Sequence, residues 1–266
     1  MSLDAVIVAR RGTAACLTIN RPAQHNALSN EVLAGLRAAV RDAKSDPDVR
    51  SVVITGAGDR SFSAGGDLSQ MSSSERNLET HEGRSQLAGL FKDMWTLGKP
   101  TVARVRGYAL AGGCGLAAAC DFVAATETST FGIPEVRLGL WPYMITVPLL
   151  HCMPARALLR LMLTGRRFPA AEAARLGIVS DLVADNELDQ RVDELVETLA
   201  QISPDAVALG RTTFYSVADT MLDLKLQTLQ AMLTVSLDMP DAREGLAAFA
   251  ENRPPSWAAA SRQPAP

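Results

Sequence analysis

Two short runs of small residues, each lying between a predicted strand and a predicted helix, constrain this chain more than any other feature. They are residues 63–67 (SAGGD) and 111–115 (AGGCG). Because glycine and alanine carry little side chain, another group can approach the backbone closely, and a helix beginning behind each run favours negative charge. Two such loops can direct two backbone N–H groups at one oxygen, as in an oxyanion hole. Either run alone could equally be a tight turn without a chemical role.

Strand and helix patterns alternate along the first two thirds of the chain. Ser29 is a candidate N-cap for a helix that ends near Asp46-Pro47, and a second helical pattern covers residues 87–97. This alternation predicts a layered α/β core with largely parallel strands. The predicted strands are residues 5–9, 14–20, 51–55, 101–105, 121–125 and 177–183.

The last third of the chain is predicted to be entirely helical. Its apolar residues recur at helical spacing, and the segment 221–237 carries more of them than one helix facing one core needs. By pattern alone, this excess apolar surface could still belong to the core. The predicted helices are residues 188–202, 204–218, 221–237 and 241–249.

The composition favours a globular protein and argues against several classes of partner. The chain has 266 residues, of which 47% are hydrophobic, and its net charge is −3. Because no basic run is interleaved with aromatic residues, we expect no nucleic-acid partner. The longest uncharged stretch, residues 107–120, is too short and too rich in glycine to span a bilayer. These features predict a soluble protein of the cytoplasm.

The cysteines and histidines predict neither a disulfide nor a metal site. The chain has four cysteines without a CxxC pair and only three histidines. Each cysteine lies in an apolar context, where a free thiol most often packs as a small hydrophobic side chain in a reducing compartment. We therefore expect no metal and no redox cofactor.

Two further motifs, together with the small-residue runs, resemble the enoyl-CoA hydratase/isomerase (crotonase) superfamily. They are residues 131–139 (FGIPEVRLG) and 20–28 (NRPAQHNAL), and the resemblance extends over residues 17–257. It implies an α/β fold built as a spiral of ββα units, with a crotonase-fold core and acyl-CoA site in residues 1–200. It also implies a C-terminal helical trimerisation region in residues 201–266 and assembly as a homotrimer or a dimer of trimers.

The resemblance assigns the chemistry to three residues. Gly66 and Gly112 would donate their N–H groups to the thioester oxygen, whose charge grows as an enolate forms. Glu135 would be the acid and base, whereas Gly115 stands where family hydratases carry a second glutamate. Two carboxylates can activate a water between them, and one can move a proton between carbons. Tyr143 replaces a glycine of many hydratases and could reshape the acyl pocket or supply its hydroxyl.

Coenzyme A contacts are also implied by the resemblance. The carboxylate of Asp67 would oppose an enolate, so we expect it to be structural, capping the next helix. Arg253 stands near the point where relatives place a basic residue against CoA phosphates. The residues at the implied CoA positions are Gln24, His25, Ala27, Leu28, Ala64, Asp67, Leu68 and Arg253.

The sequence thus predicts an acyl-CoA enzyme that stabilises a thioester enolate with a single glutamate. The substrate would be a coenzyme A thioester, and no separate cofactor would be needed. Enoyl-CoA hydration and 3,4 to 2,3 double-bond isomerisation both remain open, and isomerisation fits one glutamate better. A different thioester reaction of the superfamily, or an acyl-CoA binding protein that has lost its chemistry, remains an alternative.

Overall fold

The computed structural model describes residues 4–68, 78–218 and 221–257. Its strands fall into two sheets, one of six strands and one of four. The six-stranded sheet has the order β1-β2-β3-β5-β7-β10, and the smaller sheet has the order β4-β6-β8-β9. The strands are β1 (Val6–Arg11), β2 (Ala14–Ile19), β3 (Ser51–Gly56), β4 (Ser61–Ser63), β5 (Thr101–Val105), β6 (Tyr108–Leu110), β7 (Phe122–Thr126), β8 (Thr130–Gly132), β9 (Arg167–Pro169) and β10 (Asp181–Val183).

Most neighbouring strands run parallel, as the sequence predicts. The β1–β2 hairpin and the β8–β9 pair are antiparallel, and the other pairs are parallel. Strands β3, β5 and β7 lie in the large sheet, whereas the strands that follow them, β4, β6 and β8, lie in the small one. The chain therefore passes from the large sheet to the small sheet three times. Because β4, β6 and β8 are parallel, the loops that follow them leave the small sheet at the same edge.

Ten helices surround the sheets within the described residues. The predicted cap of the first is confirmed, since the Ser29 hydroxyl accepts a hydrogen bond of 3.3 Å from the amide of Val32. The helices are α1 (Asn30–Ser45), α2 (Leu78–Trp95), α3 (Gly112–Ala118), α4 (Thr146–Cys152), α5 (Ala155–Thr164), α6 (Ala170–Leu176), α7 (Leu188–Ala200), α8 (Pro204–Ala218), α9 (Leu222–Leu237) and α10 (Pro240–Ala250).

One predicted strand is wrong at its start. Gly177 does not begin a strand but ends helix α6, with a left-handed φ of 93° that glycine adopts without steric cost. The strand itself is limited to β10. The three-residue strands β4, β6, β8 and β9 and the seven-residue helices α4 and α6 were not predicted, because such short segments show no clear periodicity. Helix α5 was not predicted either, although its buried residues Leu158, Leu161 and Met162 recur at helical spacing.

The C-terminal helices pack on the core as well as facing solvent. Leu226 of α9 is buried in the main core, and Leu237 is buried with Leu140 and Leu246 in a smaller cluster. Part of the apolar surface of segment 221–237 therefore belongs to this chain's own core. Other side chains of the tail are exposed, including Leu209, Phe214 and Val217 of α8.

Candidate active site

The first small-residue loop follows β4 and is joined to the segment before α1. Leu28 forms a parallel bridge with Gly66, donating its amide to Gly65 at 2.8 Å and accepting from Asp67 at 3.4 Å. Both bonds of this bridge are made by the residues that flank Gly66. Because successive peptide groups of an extended segment point to opposite sides, the N–H of Gly66 faces away from Leu28. It is free to face the second loop.

The second loop follows β6, and Gly112 opens helix α3. The first N–H groups of a helix have no acceptor inside the helix, so the Gly112 amide is available to another group. A Cβ atom built on Gly112 would lie 3.5 Å from the Gly66 nitrogen, and one built on Gly65 would lie 2.9 Å from the Gly112 nitrogen. The two predicted donors therefore lie side by side, each with room for a ligand oxygen.

Ala111 holds the second loop in a strained backbone conformation. Its φ of 49° and ψ of −125° are unusual for a residue with a side chain. The turn is fixed on both sides, because Ala111 donates its amide to Gly132 at 2.9 Å and accepts from Gly115 at 3.1 Å. Strain of this kind persists where surrounding contacts over-determine the conformation, typically at functional sites.

Glu135 begins a short 3₁₀ helix (Glu135–Leu138) directly after β8. Its Oε2 atom is buried and has no hydrogen-bond partner among the described residues. Loss of contact with water penalises the charged form, and this burial raises the pKa of Glu135 to about 7. A carboxyl group with a pKa near neutrality can both take and return a proton under physiological conditions.

Gly115 lies one turn into α3, where it packs directly against Ile145. A Cβ atom built on Gly115 would lie 2.1 Å from Cγ2 and 2.5 Å from Cβ of Ile145. Both residues are buried. An isoleucine thus fills the space that a side chain at position 115 would need. It stands where the sequence analysis places the glutamate of family hydratases, and it carries no carboxylate.

The segment before α1 is held against β4 by a buried asparagine that the sequence analysis did not single out. Asn26 is 1% exposed, and its side-chain amide donates to the carbonyl groups of Ala57 at 3.0 Å and Ser61 at 2.7 Å. His25 is also held, with its Nδ1 atom 3.0 Å from the Ser61 hydroxyl. A left-handed φ at both His25 and Asn26 makes the tight turn.

A single cavity of about 830 Å³ brings most of the predicted site together. It is lined by both predicted oxyanion glycines, Gly66 and Gly112, and by Glu135 and Tyr143. The predicted CoA-contacting residues that line it are Gln24, His25, Ala27, Leu28, Ala64, Asp67 and Leu68. Leu233 of α9 and Phe249 of α10 also line the cavity, so the helical tail contributes to its wall.

Two predicted residues are placed differently. Gly115 does not line the cavity, because Ile145 lies between Gly115 and the cavity. Arg253 lies outside the cavity lining and pairs with Glu244 at 2.7 Å and Glu251 at 2.6 Å. The carboxylate of Asp67 pairs with Arg21 at 2.8 Å, which ties the first small-residue loop to the segment before α1. The helix that Asp67 is predicted to cap extends outside the described residues.

Two arginines on the cavity wall were missed by the sequence analysis. Arg137 and Arg167 are exposed, line the cavity and have no ion-pair partner among the described residues. The Arg167 guanidinium lies 5.3 Å from the centre of the Tyr108 ring. Arg137 lies inside the 131–139 motif, so the motif could have indicated it as a site residue. No local feature of the sequence distinguishes Arg167 from Arg166 before it.

Among the described residues, no group of three or more His, Cys, Asp or Glu side chains could hold a metal ion. All four cysteines are free. Within the described ranges, no helix has the length and apolar character needed to cross a membrane.

Comparison with known proteins identifies the family of this chain. The model of the enoyl-CoA hydratase/isomerase family matches residues 10–260. This chain belongs to that family. It is an acyl-CoA enzyme of the family's α/β fold. The resemblance recognised from the motifs is thereby confirmed.

Individual relatives cover nearly the full length of the chain. The short-chain-enoyl-CoA hydratase of Clostridium acetobutylicum is 32% identical over 257 residues, covering 95% of this chain and 97% of its own. The carnitinyl-CoA dehydratase of Salmonella typhi is 32% identical over 262 residues, covering 96% of this chain and 98% of its own. The crystal structure of carnitinyl-CoA hydratase from Mycobacterium avium superposes with a TM-score of 0.84 at 34% identity, covering 97% of this chain and 100% of that one.

Proposed function

We propose that this enzyme moves the double bond of an enoyl-CoA thioester from the 3,4 to the 2,3 position, with Glu135 carrying the proton. The observation that best supports this proposal is the state of the two carboxylates on the cavity wall. Among the described lining residues these are Asp67 and Glu135, and Asp67 is engaged by Arg21. One free carboxylate suits a proton shuttle between two carbons of the substrate.

The reaction divides into two proton transfers. The Glu135 carboxylate takes a proton from C2, and the electron pair of that C–H bond moves into a dienolate whose negative charge rests on the thioester oxygen. The N–H groups of Gly66 and Gly112 stabilise that charge. Protonated Glu135 then returns the proton to C4, while the double bond forms between C2 and C3. No metal or redox cofactor takes part in either step.

The remaining surfaces of the cavity would hold the coenzyme. The backbone of residues 24–28 and 64–68 would contact its pantetheine and nucleotide parts. Arg137 and Arg167, which have no ion-pair partner among the described residues, would attract its phosphates. We also propose that the two sheets form the ββα spiral of the family, and that the helical tail mediates a homotrimer or a dimer of trimers in the cytoplasm.

A second candidate is hydration of a 2-enoyl-CoA, which the names of the relatives favour. Water would then need a second polar group beside Glu135, and Tyr143 on the cavity wall is the residue that could supply it. An acyl-CoA binding protein without turnover is less well supported, because a carboxyl pKa near 7 suits an acid and base.

The deciding experiment follows the absorbance of the conjugated thioester in two parallel assays. With a 3-enoyl-CoA, isomerisation increases this absorbance; with a 2-enoyl-CoA, hydration decreases it. The Glu135→Gln variant is the control, and it should be inactive while still binding acyl-CoA. Wild-type hydration faster than isomerisation would replace the first candidate with the second, and saturable binding without turnover of either substrate would favour the binding protein.

A further inference from the structure

The contact between Gly115 and Ile145 has a consequence for which reaction the site can perform. Ile145 is 3% exposed, lines the cavity and occupies the volume that a side chain at position 115 would need. It is the N-cap residue of α4, and helix α4 packs against α3. The isoleucine is therefore held from both sides and cannot withdraw without moving a helix.

The part of the cavity wall that Ile145 contributes is consequently hydrocarbon. A water molecule bound inside a protein needs about two to four polar partners. The Oε2 atom of Glu135 could be one of them, but it has no hydrogen-bond partner among the described residues. Ile145 and Met144 on the same wall are buried and carry no hydrogen-bonding side-chain group of comparable strength.

We propose that Ile145 is the specificity-determining residue that keeps this site an isomerase, by excluding from Glu135 the water that hydration requires. This inference rests on the proposed function. It adds that the proton on Glu135 returns to the substrate without exchanging with solvent, because the side chain of Ile145 offers a water no hydrogen bond. It also links two observations: position 115 carries no carboxylate, and Ile145 fills the space that a side chain there would occupy.

A paired swap tests the proposal. Gly115→Glu alone should fail to fold or lose both activities, since its Cβ would meet Ile145. Gly115→Glu with Ile145→Gly removes the colliding Cβ atom, and glycine is tolerated at an N-cap. This double variant should gain hydration of 2-enoyl-CoA at least tenfold over wild type. The matched control, Gly115→Ala with Ile145→Gly, relieves the same contact without a carboxylate and should not gain it.

The outcomes separate the inference from the function on which it rests. Wild-type protein that hydrates faster than it isomerises refutes the proposed function, and no variant is needed to see this. The role of Ile145 is refuted if the wild type isomerises and the folded double variant behaves like the matched control. The measured quantity is the ratio of hydration to isomerisation, which would then be equal in the two variants. Folding is checked for each variant by its thermal unfolding curve.

A second measurement covers the case in which the double variant does not fold. Isomerisation in D₂O should give a product with little deuterium at C4 for the wild type. Ile145→Ala opens space for water beside Glu135 and should raise that incorporation several-fold. Full incorporation of solvent deuterium by the wild type would overturn the proposal.

Discussion

At the scale of single residues, Glu135 combines an advantage for the proposed chemistry with a cost to stability. Its Oε2 atom is buried and lacks a partner among the described residues, and burial raises the pKa of the carboxyl to about 7. The same burial that makes it a stronger base makes its charged form unfavourable in the folded state. Activity and stability should therefore respond to pH in opposite directions around this one group.

The first prediction is a pH–rate profile. Because the base must be deprotonated to take the C2 proton, kcat/KM should increase about tenfold per pH unit below pH 7 and level off above it. Steady-state isomerisation of a 3-enoyl-CoA between pH 5 and 9 measures this profile. A limb centred near pH 4.5 would show that Glu135 titrates as an ordinary carboxylate.

The second prediction concerns stability. A folded-state pKa above the usual 4.5 means that the folded protein binds this proton more tightly than the unfolded chain does. The associated stability is present below pH 4.5 and is lost as pH rises to about 7. Glu135→Gln should thus stabilise the protein by up to about 3 kcal/mol at pH 8, at about 1.4 kcal/mol per pKa unit, and much less at pH 5. Denaturant unfolding at both pH values measures the difference; equal differences would contradict the prediction.

The third prediction separates two adjacent glycines. A Cβ at Gly112 would be 3.5 Å from the Gly66 nitrogen with no contact below 3.3 Å, whereas one at Gly113 would be 2.3 Å from the Ser63 carbonyl oxygen. Gly112→Ala should fold normally and lose kcat at least tenfold, since its methyl group occupies the oxygen's place. Gly113→Ala should lower the melting temperature. Full activity of folded Gly112→Ala would remove this amide from the oxyanion hole.

At the scale of elements, the site is assembled by contacts that are distant in sequence. Gly139 and Gly245 let helix α10 pack closely on the 3₁₀ helix of Glu135, because a Cβ on either would meet backbone of the other segment at 2.4 Å or less. The motif at 131–139 predicts Glu135, but it does not indicate that a helix about 110 residues later in the sequence supports it. Such packing can be known only once the chain has folded.

The alternation of strands and helices and the Ser29 cap were predictable because they are local patterns. Strands β4, β6, β8 and β9 were not, since three residues are too few for periodicity to appear. The two oxyanion loops were found from composition, whereas the strain at Ala111 depends on the bonds that hold it. The contact of Gly115 with Ile145 joins two helices and leaves no local signal.

The fourth prediction concerns the elements that would hold coenzyme A. Arg167 of β9 lines the cavity without an ion-pair partner among the described residues, whereas Arg253 after α10 is engaged by Glu244 and Glu251. Arg167→Ala should raise KM for CoA thioesters several-fold with little change in kcat, since it removes attraction for phosphate rather than chemistry. Arg253→Ala is the comparison. A larger KM effect at Arg253 would support instead the CoA role implied by the family resemblance.

At the scale of the whole molecule, the exposed apolar side chains of the helical tail remain to be explained. Leu209, Phe214 and Val217 of α8 are 74%, 65% and 72% exposed. Leu209 and Val217 lie on the side of the helix away from Arg211 and Tyr215, which bind Asp121 in the body of the protein, and the Phe214 ring packs edge-on against Tyr215. Large apolar groups clustered on one side of a surface helix commonly mark an interface between subunits.

The fifth prediction is that this surface joins copies of the chain. Light scattering after size exclusion should give a mass of three or six times 28.3 kDa. Leu209→Glu with Val217→Glu places charges where a partner would bury apolar groups, so it should yield smaller species. Val8→Glu is the control, because Val8 is 59% exposed on β1, outside the tail. A monomeric wild type would contradict the assembly; an unchanged trimer in the double variant would place the interface elsewhere, since two buried, unpaired carboxylates at each contact cannot be tolerated.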